Sequence, residues 1–173
     1  MLELETHTAL LWDGYDLSLQ TLALDMMHAS FDLITALLGQ PRTIQVAGTE
    51  GADGRGSAAE VVLGYPNAIA RCTGSALMRH AYGMSGGTRA TFAGAVLDYT
   101  IRADFTGQGP STLTAYTARG QHAIDLLSTS PYEAMLDHVL SCLTGKADKL
   151  IEPASALPAL ELTLDVQHRL VRA

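Results

Sequence analysis

The stretch from Thr21 to Gly39, TLALDMMHASFDLITALLG, places the strongest constraint on the fold. On a helix of about 100° per residue, five polar residues fall within roughly 80° of one another: Thr21, Asp25, His28, Asp32 and Thr35. Nearly every other position is apolar, and Ser30 is the exception. A helix that is apolar nearly all round is buried, so we expect its polar line to face a cavity, a partner or a narrow slot of solvent. Gly39 lies where a left-handed C-cap is typical, and the following Gln40-Pro41 ends the helix.

Three residues of this line, Asp25, His28 and Asp32, place a carboxylate on either side of an imidazole. Such an arrangement fixes the tautomer of the ring and raises its basicity, which suits a general base or a metal ligand. We therefore treat all three as candidate catalytic residues. In the alternative interpretation they only satisfy one another where the helix meets water. No further ligands cluster at metal spacing, so we expect no metal.

Composition narrows the class of protein. The chain has 173 residues, which predicts one domain over residues 1–173, and 47% hydrophobic content supplies a core. With 11 basic and 18 acidic residues the net charge is −7, which disfavours binding to nucleic acid or to an anionic membrane. Two cysteines form no disulfide framework, and no long apolar run is free of charge. We therefore expect a soluble, cytoplasmic protein.

Hydrophobic periodicity changes along the chain. Alternation and turn residues predict strands at 2–11, 43–47, 59–63, 68–73, 77–82, 88–92, 95–103, 113–118 and 121–126. Helical spacing follows at 131–145 and at 154–171, with one side of the last helix formed by Leu157, Leu160, Leu164 and Leu170. This order predicts an α+β domain, a large and mostly antiparallel sheet with helices packed on one face. We expect the other face, rich in Ala, Val, Thr and Tyr, to be buried by homo-oligomerisation.

Two glycine-rich motifs match known patterns without their structural context. Residues 54–59 fit G-x-G-x-x-A, but a strand follows where a dinucleotide site needs a helix N-terminus, so we predict a hairpin loop. Residues 83–87 fit the nucleophile elbow G-x-S-x-G, which also requires a helix. Because a strand follows here too, we predict that Ser85 lies in a hairpin turn. His80 and Tyr82, beside this turn, are candidate substrate-binding residues.

Four segments, which form three matches, also fit a known family in order. DMMHASFDLITALLG fits the helix pattern D-x-x-x-H-x-x-D-L-x-x-x-L-L-G, GMSGGTRA fits a glycine-rich hairpin, and the segments YEAMLDHVLSCLTGK and IEPASALPALELTLDVQHRL fit two closing helices. From Leu24 onward the chain thus resembles the C-terminal domain of the Gfo/Idh/MocA oxidoreductases, the glucose–fructose oxidoreductase and inositol dehydrogenase family. Asp25, Asp32 and Gly39 match the helix pattern, whereas Ala29 occupies the histidine position and His28 precedes it. The resemblance implies a sheet that binds substrate on one side and a partner subunit on the other.

The family's N-terminal nucleotide-binding half, with its glycine-rich turn and catalytic lysine, has no match here. We therefore expect this chain alone to bind no cofactor, with NAD(P) implied only through a separate nucleotide-binding partner. Three functions stay open. The chain is the domain of an NAD(P)-dependent oxidoreductase that binds a small sugar-like substrate and oligomerises, or a cofactor-independent enzyme for dehydration, isomerisation or cyclisation that uses Asp25, His28 and Asp32, or a non-catalytic binding or assembly module.

Overall fold

The computed structural model describes residues 1–9, 16–52, 54–104, 109–126, 130–150 and 152–172. The strands are β1 (Leu2–Ala9), β2 (Thr43–Glu50), β3 (Ser57–Gly64), β4 (Ile69–Met78), β5 (Met84–Thr91), β6 (Ala95–Ala103), β7 (Ser111–Thr117) and β8 (Gly120–Ile124). The helices are α1 (His28–Leu38), α2 (Pro131–Leu143) and α3 (Pro153–Leu170); a π-helical turn, Ala23–Met27, leads into α1, and a 3-10 turn spans His80–Tyr82. The predicted α+β class is confirmed.

The strands form one sheet in the order β2-β3-β4-β1-β5-β6-β7-β8. The central strand β1 pairs parallel with β4 and antiparallel with β5. The other neighbouring strands are antiparallel, because each follows its predecessor through a short turn. The mostly antiparallel sheet predicted from the sequence is therefore confirmed, and its parallel pair arises where the first strand inserts between β4 and β5.

Helices α1 and α3 pack on one face of the β2-β3-β4-β1 half of the sheet. Alternate side chains of these strands point toward the helices and are apolar and buried, among them Leu2, Leu4, Val61, Leu63, Ala70 and Cys72. The helical layer adds Met27, Phe31, Ile34, Leu162, Val166 and Leu170 to the same core. Full burial of one such large apolar side chain contributes roughly 1.5–3 kcal/mol to folding. This shared core fixes the position of α1 relative to α3.

Among the described elements, no helix makes more than marginal contact with strands β5 to β8. On the helix side of this half-sheet, the alternating side chains form an uncovered apolar surface, the β5–β8 apolar surface, comprising Leu97, Tyr99, Ile101, Leu113 and Ile124. The opposite side of the whole sheet, the helix-free face, carries charged side chains instead. There Arg71 pairs with Glu60 at 3.1 Å and Arg89 with Asp98 at 2.8 Å. The uncovered apolar surface is therefore on the helix side of the sheet.

Two expectations about helix burial are wrong. The helix beginning near Thr21 is not buried all round, because Leu24, Leu33 and Leu37 are 41%, 40% and 60% exposed. Only the line that faces the sheet and α3 is buried. In the last helix, three of the four leucines predicted to share a side, Leu157, Leu160 and Leu164, are exposed and only Leu170 is buried. Two polar residues of α3, Thr163 and Gln167, occupy part of the buried face instead, because they form hydrogen bonds with the first helix.

The segment between β4 and β5 also differs from the prediction of a strand at 77–82. Strand β4 ends at Met78, and a 3-10 turn leads to Gly83, whose φ is +69°. Strands β4 and β5 flank β1, so the chain must cross the end of β1, where the Ala9 N–H donates to the Gly83 carbonyl at 3.2 Å. Ser85 lies within β5, paired to β1 and β6, and not in a turn as predicted.

Other elements agree closely with the predicted ranges. Strand β6 has the predicted bounds, and α1 ends before Gly39, as predicted. Gly39 has a positive φ of +74°, which glycine adopts readily, but its ψ of −157° differs from the left-handed C-cap expected from the sequence. Residues 10 and 11, the end of the predicted first strand, lie outside the described residues. None of the helices in the described ranges combines the length and the apolarity that a membrane span requires.

Candidate functional site

His28, the first residue of α1, is anchored to α3. Its Nδ1 lies 2.8 Å from Oγ1 of Thr163, a residue with no exposed surface. The Thr163 hydroxyl in turn donates to the carbonyl of Ala159, 2.7 Å away, one turn earlier in α3. This chain of two hydrogen bonds connects the half-buried imidazole to the backbone of the neighbouring helix.

The two hydrogen bonds determine the tautomer of His28. A threonine hydroxyl has one hydrogen, and that of Thr163 is directed to Ala159. Nδ1 of His28 must therefore be the donor to Thr163, which leaves the lone pair of the neutral ring on Nε2. Nε2 forms no hydrogen bond to any residue that the structure describes. The arrangement provides an oriented proton acceptor at the surface of the helical layer.

Asp25 and Asp32 do not flank this ring as the sequence predicts. In the described chain, no carboxylate oxygen of either residue lies within 4.0 Å of a His28 ring nitrogen, and both residues are exposed. The physical reason is local. The turn Ala23–Met27 is π-helical, and a wider turn rotates each residue by less than the 100° of an α-helix. Asp25 is therefore rotated away from His28, and Thr163 takes the place that a carboxylate was expected to occupy.

Gln167 is a second polar anchor on the buried face of α3. Its side-chain oxygen accepts a hydrogen bond from the Ala23 N–H at 3.1 Å, and its Nε2 donates to the Leu19 carbonyl. The amide thus satisfies backbone groups at the start of the helix, which have no partner within the helix. Sequence reasoning missed both Thr163 and Gln167. Their signal is a polar i, i+4 pair within the apolar spacing of Leu162, Val166 and Leu170.

The candidate substrate-binding residues His80 and Tyr82 lie in the 3-10 turn. The Tyr82 hydroxyl is 2.8 Å from Oγ of Ser85, and the Arg102 guanidinium lies 4.8 Å from the centroid of the Tyr82 ring. Ser85 and Arg102 are paired across β5 and β6 on the helix-free face. The structure therefore brings Tyr82 to the opposite side of the sheet from His28. The predicted site residues form two separate groups.

Residues 54–56 of the glycine-rich segment lie in the loop of the hairpin that joins β2 to β3, as predicted, whereas residues 57–59 are already part of β3. The Gly54 N–H donates to the Gly51 carbonyl, and strand β3 follows directly. Because no helix begins there, this segment does not fit the pyrophosphate of a nicotinamide dinucleotide. In the ranges that the structure covers, no three His, Cys, Asp or Glu side chains group as metal ligands would. We therefore assign no cofactor or metal site to these residues.

Comparisons with protein-family models and with curated proteins gave no match. Among solved structures, the chain is similar to the UDP-N-acetylglucosamine 3-dehydrogenase GnnA from Acidithiobacillus ferrooxidans, with a TM-score of 0.77 and 18% identity over 96% of this chain and 52% of that chain. It is also similar to the dehydrogenase MviM from Clostridium difficile, with a TM-score of 0.71, 8% identity, and 97% and 54% of the two chains covered. It is similar as well to a dehydrogenase from Chromobacterium violaceum, with a TM-score of 0.68 and 13% identity over 97% of this chain and 52% of that chain.

The chain spans about half the length of these dehydrogenases. At such low identity the likeness establishes the fold, whereas activity and substrate are not transferred by it. The resemblance predicted from the sequence is confirmed at this level. The chain has the fold of the C-terminal domain of Gfo/Idh/MocA-type dehydrogenases.

Proposed function

We propose that this chain is the substrate-binding and self-association domain of an NAD(P)-dependent oxidoreductase that acts on a sugar-like molecule. The observation that carries the proposal is the shared fold, which covers 96% of this chain and about half of a sugar-nucleotide dehydrogenase. In the family that the sequence resembles, the other half binds the nucleotide. We assign nicotinamide chemistry to a separate domain or subunit, because the glycine-rich segment at 54–59 does not fit a dinucleotide. A cytoplasmic location remains a prediction.

His28 is the residue we propose for substrate chemistry. Oxidation of a sugar hydroxyl requires that its proton be accepted, and the free lone pair of Nε2 suits that role. The hydrogen bond from Nδ1 to Thr163 keeps this lone pair on Nε2. Asp25 and Asp32, both exposed on the same helical segment, are proposed to accept hydrogen bonds from other hydroxyls of the substrate. In this proposal the carboxylates bind the substrate and do not activate the imidazole.

Exposed leucines on the same helices as His28 and Thr163 support the binding of a partner domain to the helical layer. Leu24, Leu33 and Leu37 project from the outer side of the first helix, and Leu157 and Leu164 from α3. Large exposed apolar residues on two helices that contact each other favour an interaction surface. A nucleotide-binding domain seated there would cover the leucines and close the site of His28 against water. That placement also explains why a single domain of this fold leaves so much of its helical layer exposed.

Self-association is proposed through the β5–β8 apolar surface. Its members Leu97, Ile101 and Leu113 are only half-buried in the single chain, and Ile124 is 42% exposed. A second copy of the chain would bury them across a two-fold axis, the commonest symmetry of homodimers. The helix-free face carries paired charges and is the less suitable surface, since the cores of interfaces are depleted in charged residues.

The test is calorimetric titration of the purified chain with UDP-N-acetylglucosamine, alone and together with a nucleotide-binding domain supplied in trans. We expect binding that His28→Ala weakens by about tenfold or more, the usual effect of removing one strong hydrogen bond from a site. His138→Ala is the matched control, because His138 is a half-buried histidine of α2 to which the proposal gives no role. Equal weakening by both variants, or none by His28→Ala, would contradict the assignment of His28.

A further inference from the structure

A cavity on the helix-free face has no role in the proposed function. Its volume is about 330 Å³, near the lower end of the range of roughly 300–1,000 Å³ for small-molecule sites. The polar side chains that line it are those of Glu5, Tyr82, Ser85, Thr100, Arg102 and Thr112. We call it the sheet cavity. Because it lies across the sheet from α1, it is separate from the site of His28.

Arg102 gives the sheet cavity a positively charged side chain. Its guanidinium is held over the Tyr82 ring, 4.8 Å from the centroid, by a cation–π contact. Within the residues that the structure describes, Arg102 forms no ion pair. Arg89, on the neighbouring strand of the same face, is by contrast bound to Asp98 through two of its nitrogens. A positioned guanidinium without a carboxylate partner is suited to bind the acidic group of a ligand.

Two pairs of hydroxyl groups line the rest of the sheet cavity. The Tyr82 and Ser85 hydroxyls are 2.8 Å apart, and those of Thr100 and Thr112 are 2.9 Å apart. Each pair uses one hydroxyl hydrogen internally, which leaves a second hydrogen and several lone pairs for a ligand. Groups that both donate and accept in this way match the hydroxyls of a sugar, which do the same.

Glu5 determines the orientation of the ligand. Its carboxylate, 3.6 Å from Nε2 of His7, can only accept hydrogen bonds and repels an anion. The acidic group of a ligand must therefore lie at the end of the cavity formed by Arg102, and its hydroxyls toward Glu5. We propose that the sheet cavity binds a monosaccharide with one acidic group, either a carboxylate or a phosphate. Arg102 binds the acid, and Glu5 and the hydroxyl pairs bind the ring hydroxyls.

The proposal is tested by titrating the chain with four probes: glucuronate, glucose 6-phosphate, glucose and inorganic phosphate. We expect at least one acidic sugar to bind about tenfold or more tightly than glucose and than phosphate, because it alone engages both ends of the cavity. If glucuronate binds more tightly than glucose 6-phosphate, the acidic group of the ligand is a carboxylate, and if glucose 6-phosphate binds more tightly, it is a phosphate. The proposal is overturned if neither acidic sugar exceeds glucose, or if inorganic phosphate binds as tightly as they do.

Variants locate the binding. Arg102→Gln should weaken binding of the acidic sugar by about tenfold or more, whereas Arg119→Gln, the same loss of charge at the turn between β7 and β8, should stay within about twofold. Tyr82→Phe keeps the ring beneath Arg102, removes one hydroxyl, and should weaken binding severalfold even if Arg102→Gln fails to fold. Unchanged affinity in both cavity variants would overturn the proposal.

The two probes separate this site from the proposed function. Failure of the sheet cavity would appear as unchanged affinity for the acidic sugar in Arg102→Gln and in Tyr82→Phe, whatever His28→Ala does to UDP-N-acetylglucosamine. Failure of the proposed function would instead appear as no effect of His28→Ala on UDP-N-acetylglucosamine.

Discussion

Nδ1 of His28 and Oγ1 of Thr163 lie 2.8 Å apart, although 135 positions separate the two residues in the chain. This contact joins the start of α1 to the buried face of α3 and supplies the acceptor that the sequence attributed to a carboxylate. Because Thr163 is fully buried, the contact belongs to the folded core as well as to the candidate site.

Thr163→Val should change the tautomer of His28. Valine lacks the hydroxyl that accepts from Nδ1–H, so we expect the neutral ring to shift toward the Nε2–H form, detectable in the ¹⁵N spectrum of the imidazole. Thr35→Val is the matched control, because the Thr35 hydroxyl donates to the Phe31 carbonyl and does not contact His28. A parent chain already in the Nε2–H form would contradict the assignment.

Gln167→Leu should destabilise the domain. The change leaves the Ala23 N–H and the Leu19 carbonyl without their side-chain partner, at a cost of about 1–3 kcal/mol for buried groups. Urea unfolding followed by circular dichroism measures the loss. Gln45→Leu, on an exposed position of β2, should change the unfolding free energy by about 0.5 kcal/mol or less. Equal stability of Gln167→Leu and the parent would refute the anchoring role.

The two cysteines should differ in reactivity. Burial raises the pKa of the Cys72 thiol from 9.0 to about 12, so Cys72 stays protonated and inaccessible at pH 8. A thiol reagent should label the native chain once, at the half-buried Cys142, and label Cys142→Ser only after unfolding. Rapid labelling of native Cys142→Ser would show that Cys72 is accessible.

The same raised pKa of Cys72 predicts how stability depends on pH. The folded state favours the neutral thiol, so its contribution is complete below about pH 9 and is lost as the pH rises toward about 12. Cys72→Ala should therefore show a shallower fall of the unfolding free energy between these pH values than the parent chain. Parallel pH profiles for the two proteins would contradict this prediction.

Self-association should depend on one side of β7. Leu113 belongs to the β5–β8 apolar surface, and its neighbour Thr114 points to the helix-free face. Leu113→Lys should dissociate the oligomer in sedimentation experiments at micromolar concentration, with little change in far-UV circular dichroism, whereas Thr114→Lys should not. A parent chain that sediments only as an 18.3 kDa species would contradict the proposal. Dissociation by Thr114→Lys alone would move the interface to the helix-free face.

The chain by itself should bind neither NAD(H) nor NADP(H). Residues 54–56 belong to the loop between β2 and β3, and residues 57–59 begin β3, so this segment gives a pyrophosphate no helix N-terminus. Calorimetric titration of the isolated chain with each nucleotide checks this expectation. Micromolar binding would show that a phosphate-binding element exists outside the segments that the sequence motifs indicate.

Local pattern was sufficient for most of the fold. The alternation in residues 95–103 predicted β6 with its observed bounds, and Gly39 predicted the end of α1, because both depend on neighbouring residues only. The family pattern DMMHASFDLITALLG likewise indicated the fold that the structural comparison confirmed. The sequence also identified His28 and Tyr82 as residues of interest, but not which partners each would have.

Those partners were decided by contacts between distant segments. The strand order that places β1 between β4 and β5 put His28 and Tyr82 on opposite sides of the sheet, which no local periodicity encodes. Thr163 replaced Asp25 beside His28 because a π-helical turn rotated the aspartate away while packing of α3 brought the threonine close. A hydrogen bond between residues far apart in sequence forms only once the core between their helices has formed. The sequence by itself thus determined the elements and their order, and the tertiary structure decided which polar groups meet.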